Sequence, residues 1–379
     1  MPDILSYIEN SLKKKKDDNS LRKLYLTKGK IDFCSNDYLG FAQDKKLYKL
    51  FKKKLSSTDE ILFGSTGSRL LSGQSEYVQT LEFKLADFFK SESALVFNSG
   101  YHANIGLVPS LIKKSDTIFY DALCHASIRD GILLSKAESY SFKHNDMIDL
   151  IEKIKRNGKG NIFIITEALF SMDGDYSPIE EITKICEKYN AALILDEAHS
   201  TGTIGKEGRG LAVSMNQQGN IFARIHTFGK AMGCFGAVIL CNNTLKTYLI
   251  NNARSFIFTT ALPLFNIAAI DCSLDYLKMS SERIDTLHKN IIYFLQNIPS
   301  SLRKYFIPSA SPIQGFITPG NENIKKLASY LQNNNIDARA ILHPSVPRGK
   351  ERIRIILHSF NTHEEIRKLL QNINDYVTM

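Results

Sequence analysis

Residues 161–166, Asn-Ile-Phe-Ile-Ile-Thr, form an almost unbroken apolar run too short for a buried helix. A strand with one wet face alternates in polarity; a run that is apolar at successive positions must be covered on both faces. Residues 191–195, Ala-Ala-Leu-Ile-Leu, repeat the pattern and close on Asp196. Between the two runs, Ser177 and Glu180 predict a capping box around Pro178, and with it the start of a helix. Two buried strands joined by a helix dictate a mostly parallel sheet with helices on both faces.

The flanking sequence continues the alternation. Helical periodicity over 81–89 and 103–112 brackets a short strand at 94–97, and a strand at 117–120 precedes a helix after His125. After about Pro263 the texture changes to long helical segments, followed by short strands near 315–318, 338–342 and 353–357. A capping box at Thr362 and Glu365 opens a last helix with Ile366, Leu369, Leu370 and Ile373 on one face. At the other end, Ile4, Ile8 and Leu12 predict a helix over residues 1–16. The expected organisation is a large α/β domain over 43–262 and a smaller α+β domain over 263–379, with residues 1–42 packing against the latter.

Composition narrows the function classes. The 379-residue chain is 43% hydrophobic and 23% charged, an ordinary globular balance. No apolar stretch approaches the roughly 18 residues a membrane span needs, and the polar first residues do not resemble a signal peptide. Six scattered cysteines without a CxxC pair predict reduced thiols in a cytoplasm. The net charge of +9 is concentrated in Lys13–Lys16 and in Lys45, Lys46, Lys49, Lys52, Lys53 and Lys54. These runs read as solvated helix faces, with attraction of a polyphosphate substrate or a nucleic acid as alternatives. The glycine fingerprints of dinucleotide-binding and P-loop proteins are absent, as are HExxH and GxSxG. No metal site is expected, nor a nucleic-acid or membrane partner.

In a parallel sheet, ligands bind beyond the carboxyl ends of the strands. Asp196 stands at such an end and Ser171 a few residues past another. Taken with Gly100, Tyr101, His125, His199 and Lys230, they match what pyridoxal 5'-phosphate chemistry requires. A lysine holds the aldehyde, and a buried carboxylate keeps the pyridine nitrogen protonated. A ring-stacking group and a donor to the phenolic oxygen complete the set, with a helix start for the phosphate. A nucleotide-dependent oxidoreductase would share the α/β alternation but leaves Lys230 without a purpose, and so does a basic nucleic-acid-binding protein.

Several segments are specific enough to name a family. They are Asn36-Asp37-Tyr38-Leu39-Gly40, Gly64-Ser65-Thr66-Gly67-Ser68-Arg69, Phe170-Ser171-Met172-Asp173-Gly174-Asp175, Asp196-Glu197-Ala198-His199 and Thr227-Phe228-Gly229-Lys230. With them the chain, from Arg22 to its last helix, resembles the α-oxoamine synthases. These are pyridoxal-phosphate enzymes of fold type I, the aspartate-aminotransferase-like fold.

The resemblance implies a decarboxylative Claisen condensation. It joins L-alanine to an acyl thioester, with pimeloyl-CoA the acyl donor of the member it resembles most and an acyl-carrier protein the alternative carrier. Glycine with acetyl-CoA, or serine with a long-chain acyl-CoA, are the other pairs within the family. It implies that Lys230 binds the cofactor and moves the Cα proton, that Asp196 pairs with the ring nitrogen and that His125 stacks on the ring. His199 and Ser171 would meet the phenolic oxygen, and Gly100, Tyr101 and Thr227 the phosphate. Thr259 or Thr260 would reach the phosphate of a partner subunit in a homodimer. Asn36 and Arg354 would grip the amino-acid carboxylate, and Arg22 and Ser345 would contact substrate. Two departures from the family pattern are Val78, where many relatives carry histidine, and Gly229, where many carry serine.

Overall fold

The computed structural model describes residues 3–24, 26, 29–56 and 63–379, which group into two compact units. The larger comprises Asn36–Ser171 and Tyr176–Asp285; the smaller comprises Met1–Ser35, Met172–Asp175 and Thr286–Met379.

A seven-stranded sheet forms the centre of the larger unit. Its spatial order is Ser93–Phe97, Ala237–Cys241, Ala223–Thr227, Ala191–Asp196, Ile162–Glu167, Thr117–Asp121 and Glu138–Phe142. Among these strands only Ala237–Cys241 runs antiparallel to its neighbours. The apolar run that predicted two-sided burial has it. Phe163 and Ile165 pack with Leu95, Ile118, Ile194 and Ile225 on one face, while Ile164 packs with Phe119, Leu193 and Leu195 on the other. Helices Gly100–Leu111 and Ala126–Ser135 cover the first face through Ala103, Leu107, Val108, Ile128 and Ile132. Helices Met147–Asn157 and Ile179–Tyr189 cover the second through Leu150, Ile154, Ile179 and Ile182. Each such aliphatic side chain, fully buried, contributes about 1.5–3 kcal/mol, so the two faces hold the sheet from both sides.

One expected local feature is corrected. The helix begins at Ile179 with Pro178 as its N-cap and no side-chain cap bond. The Ser177 hydroxyl instead donates to the Glu167 carbonyl at the end of its strand, and lies 3.3 Å from Thr166 Oγ1. A buried carbonyl without a ladder partner costs more than an uncapped helix end that water can reach. The hydroxyl is therefore drawn to the sheet.

Residues 264–285 group with the larger unit, beyond the division expected after residue 262. Helix Leu264–Lys278 carries Asp271, which is 1% exposed. Its carboxylate accepts from Lys84 Nζ at 2.8 Å and Tyr77 Oη at 3.1 Å and also pairs with Lys54. A buried carboxylate with these cations ties the helix to segments 45–56 and 76–88. The other lysines of helix Lys45–Ser56 are exposed and only Leu47 is buried, which is the solvated-face arrangement.

In the smaller unit three antiparallel strands lie in the order Arg339–Ile341, Arg352–Ile356 and Ile313–Ile317. Ile31–Asp32 pairs in parallel with Ile336–Asp337. The last helix, His363–Thr378, has the expected capping box, with Glu365 N to Thr362 Oγ1 at 3.1 Å and Thr362 N to Glu365 Oε2 at 2.9 Å. Its four expected apolar residues are buried. Helix Ile4–Asp17 forms as the periodicity predicts, yet none of its residues is buried. Gly174 has φ +77°, and a Cβ there would lie 2.1 Å from the Ile313 carbonyl oxygen, so this position admits only glycine. No helix among the described residues is long and apolar enough to cross a membrane.

Candidate active site

Side chains alternate along a strand, so the face on which Phe163, Ile165, Ile194, Ala223 and Ile225 are buried is also the face of Glu167, Asp196 and Thr227. These three residues end neighbouring strands, and Glu167 and Asp196 are register partners. A pocket opens over them. It brings together Gly100, Tyr101, His125, Asp196, His199, Thr227 and Lys230 of the expected set, along with Asn104, Ser127, Glu167 and Ala198.

Asp196 forms the polar floor and is 6% exposed. Its Oδ1 accepts from Ala198 N at 2.9 Å and its Oδ2 from Asn104 Nδ2 at 2.8 Å. Asn104 also donates to Ser127 Oγ at 3.0 Å, while its own Oδ1 is buried without a hydrogen-bond partner among the described residues. His125 caps the helix that follows it, Nδ1 accepting from Ser127 N at 3.2 Å. Its backbone N–H donates to Glu167 Oε1 at 2.6 Å. Burial lowers the His125 pKa; Asp196 opposes that and Lys230 adds to it. The ring is therefore neutral at physiological pH. Burial, then the neighbouring Asp196, pushes the Glu167 carboxyl up to about 8, against the pull of Lys230.

His199 is 5% exposed, and its Nδ1 meets the Tyr38 hydroxyl at 2.6 Å. Tyr38 is fully buried, so this contact fixes the plane of the imidazole. Helix Gly100–Leu111 starts at the pocket wall, with Ser99 as its N-cap accepting from His102 N at 3.3 Å. The backbone N–H groups of Gly100 and Tyr101 lie in the first turn, where a helix favours an anion. A Cβ on Gly100 would come within 3.7 Å of Thr227, so its absence leaves room between the helix start and the Thr227 hydroxyl. Lys230 sits in a tight turn after the Ala223–Thr227 strand, closed by Gly233 N to Lys230 O at 2.8 Å and Cys234 N to Phe228 O at 3.0 Å.

On the opposite face of the same strands lies a second, wholly buried cluster. Glu197 Oε2 accepts from Ser200 Oγ at 2.7 Å and from Leu211 N at 2.6 Å. Its Oε1 stands 3.5 Å from His226 Nε2 and 3.6 Å from Arg224 Nη1. Arg224, 2% exposed, donates through Nη2 to the Phe89 carbonyl at 2.6 Å. Burial alone would raise the Glu197 carboxyl, but the His226 ring, the Arg224 guanidinium and the Ser200 hydroxyl hold it down at about 2. Burial lowers His226, so at neutral pH Arg224 is the lasting cation of the cluster.

The remaining expected residues are placed elsewhere. Ser171 and Asn36 belong to the larger unit but do not line this pocket. Asn36 Oδ1 lies 3.4 Å from the Tyr38 hydroxyl. Thr259 and Thr260 are also outside it; Asn98 Nδ2 donates to Thr259 Oγ1 at 3.3 Å and to the Thr260 carbonyl at 2.9 Å. Arg22, Ser345 and Arg354 belong to the smaller unit, where Arg22 Nη2 donates to Ser345 Oγ at 2.9 Å and Arg354 is buried on its strand. Val78 is a core residue, 1% exposed.

Sequence reasoning missed Glu167, Asn104 and Tyr38. Glu167 had a legible signal, since it continues the period-two face of Phe163 and Ile165. Asn104 lies one helical turn beyond Gly100. Tyr38 stood inside a recognised segment without a role.

Comparison with known proteins agrees with this geometry. The family model described as aminotransferase class I and II matches residues 28–373. An 8-amino-7-oxononanoate synthase from Lysinibacillus sphaericus is 37% identical over 344 residues, covering 90% of this chain and 87% of that protein. Among solved structures, a serine palmitoyltransferase variant from S. paucimobilis with a bound PLP–myriocin aldimine superposes with a TM-score of 0.89 at 25% identity, covering 98% of each chain. An 8-amino-7-oxononanoate synthase from Francisella tularensis gives 0.77 at 30% identity, covering 92% of this chain and 98% of that one.

Proposed function

The chain belongs to the aminotransferase class I and II family, and from that premise we propose that it is a pyridoxal-phosphate-dependent 8-amino-7-oxononanoate synthase. In this reading it joins L-alanine to a pimeloyl thioester and releases CO₂ and the thiol carrier, a step of biotin synthesis. The observation that carries the reading is the convergence of Lys230, Asp196, His125 and His199 in one pocket against the start of the Gly100 helix.

The residues present fit the cofactor. A doubly hydrogen-bonded carboxylate on the pocket floor suits a pyridinium N–H. The first turn of the helix, with the Thr227 hydroxyl beside it, suits a phosphate. When bound, the cofactor supplies an electron sink for carbanion formation and for loss of CO₂. Asp196 would accept from the ring N–H and so keep the nitrogen protonated. His125, neutral and fixed as the N-cap of the helix that follows it, would offer a flat face for stacking, and His199, steadied by Tyr38, a donor for the phenolic oxygen. Lys230 would hold the cofactor aldehyde and, as a free amine, would take the Cα proton.

The same reading assigns Ser171 to the phenolic oxygen, Asn36 and Arg354 to the amino-acid carboxylate, and Arg22 and Ser345 to the acyl substrate. It takes the working form to be a cytoplasmic homodimer. Thr259 and Thr260, outside the pocket of their own chain, are then available to a partner's phosphate.

Steady-state release of CoA, measured with alanine, glycine and serine across acyl chain lengths, tests the proposal. Alanine with pimeloyl-CoA should give the highest kcat/KM and a product with the mass of 8-amino-7-oxononanoate. Turnover confined to glycine would refute it.

A further inference from the structure

Glu167 lines the pocket, is 3% exposed, and nothing in the proposed chemistry uses it. We infer that Glu167 is a positioning residue, standing as a neutral acid beside the Asp196 carboxylate and fixing His125 through that residue's backbone N–H. The inference rests on the reading of this pocket as the cofactor site.

The geometry decides which of the two carboxyls keeps a proton. They occupy paired positions on adjacent parallel strands and project from the same face. Two like charges so placed in a dry site do not both ionise near neutral pH. Each Asp196 oxygen takes an N–H donor, from Ala198 and from Asn104, and both bonds stabilise its anion. Glu167 takes one, from His125 N. Asp196 is therefore the carboxylate and Glu167 the acid.

Charged and titratable groups reach Glu167 from each neighbouring element: Asp196 on the next strand, Lys230 in the turn, His125 at the helix cap and Asp121 at the end of the strand on its other side. Burial and the two aspartates favour the proton, and Lys230 and the His125 N–H oppose it, with the balance near pH 8. Two consequences follow. Below that pH, Asp196 is the only ionised carboxylate on the pocket floor, so its charge is reserved for the ring nitrogen. At the same time Glu167 Oε1 holds the N-cap residue in place by its backbone N–H, and the cap sets where the His125 ring lies.

Infrared pH-difference spectroscopy on the cofactor-free and cofactor-loaded protein tests this. In wild type, a protonated-carboxyl C=O band should be present at pH 7 and convert to carboxylate on titration through about pH 8. Glu167→Gln should lack that band. Glutamine keeps an oxygen for the His125 N–H, whereas alanine does not. Glu167→Ala should accordingly lose on the order of 100-fold in kcat, as a displaced stacking group would, and Glu167→Gln should recover most of that loss. The visible absorption of the loaded wild type should change in a step near pH 8, and Glu167→Gln should lack that step. Absence of a protonated-carboxyl band in wild type at pH 7, its persistence in Glu167→Gln, or equal loss in both variants overturns the inference. Failure of wild type to take up pyridoxal phosphate overturns the reading of the pocket instead, and the infrared result on the cofactor-free protein still judges Glu167.

Discussion

Replacing Glu197 with glutamine tests the buried cluster behind the site. Glutamine keeps an oxygen for the Leu211 N–H and the Ser200 hydroxyl but removes the charge facing Arg224, a cation that is 2% exposed. Breaking a buried pair by removing one partner costs about 3–5 kcal/mol. A second route gives a similar size. The Glu197 carboxyl lies near 2, against an ordinary value of 4.5, and that depression corresponds to at most about 3 kcal/mol at neutral pH, where the His226 ring has lost its charge and Arg224 supplies the attraction. The sign follows from the folded pKa being the lower one. The contribution is fully present above the unfolded value of 4.5 and is lost as pH falls from there toward 2. At roughly 2–4 °C per kcal/mol, Glu197→Gln should melt about 10 °C below wild type at pH 7.5. Urea titrations of cofactor-free protein between pH 7 and pH 3 should show a shallower acid loss in the variant. Adding Arg224→Met to Glu197→Gln should restore part of the stability, because the orphaned cation is gone. A melting point within 2 °C of wild type, or an unchanged acid limb, would refute the charge argument.

Tyr38→Phe removes only the hydroxyl that meets His199 Nδ1. It should lower kcat about tenfold, equivalent to roughly 1.4 kcal/mol, with KM for the amino acid little changed in steady-state assays. Thr362→Ala removes the hydroxyl that accepts from Glu365 N in the capping box of the last helix, while the backbone bond from Thr362 N to Glu365 Oε2 stays possible. It should cost about 1 kcal/mol in urea unfolding, with Thr362→Ser close to wild type. Gly174→Ala places a Cβ 2.1 Å from the Ile313 carbonyl oxygen at φ +77° and should destabilise by roughly 1–3 kcal/mol in the same assay. Unchanged stability would mean that the turn relaxes.

Much of the larger unit was legible because its strands are buried on both faces and leave uninterrupted apolar runs. Residues 162–167 and 191–196 needed no tertiary knowledge. The strands on either side of Lys230 were harder. Residues 223–227 carry Arg224 and His226, which read as polar until Glu197 is seen to receive them. The Ser177 capping box failed for a related reason: a hydroxyl that suits a helix start was claimed by the strand-end carbonyl of Glu167, ten residues earlier. The division expected after residue 262 missed the ion pairs of Asp271 with lysines about 190–220 positions earlier. At the candidate site, Lys230, Asp196, His125 and His199 were legible because each chemistry demands a residue type. Glu167, Asn104 and Tyr38 act through hydrogen bonds between elements, which spacing does not display.

The central claim is that Lys230 carries the cofactor over Asp196. Purified protein loaded with pyridoxal phosphate should be yellow from the lysine–pyridoxal linkage, and borohydride should bleach the colour and leave the cofactor's mass on the peptide containing Lys230. Lys230→Ala should bind the cofactor without fixing it covalently and should lose turnover by several orders of magnitude. A colourless wild type that takes up no pyridoxal phosphate, or a reduced adduct on any other lysine, would contradict the account.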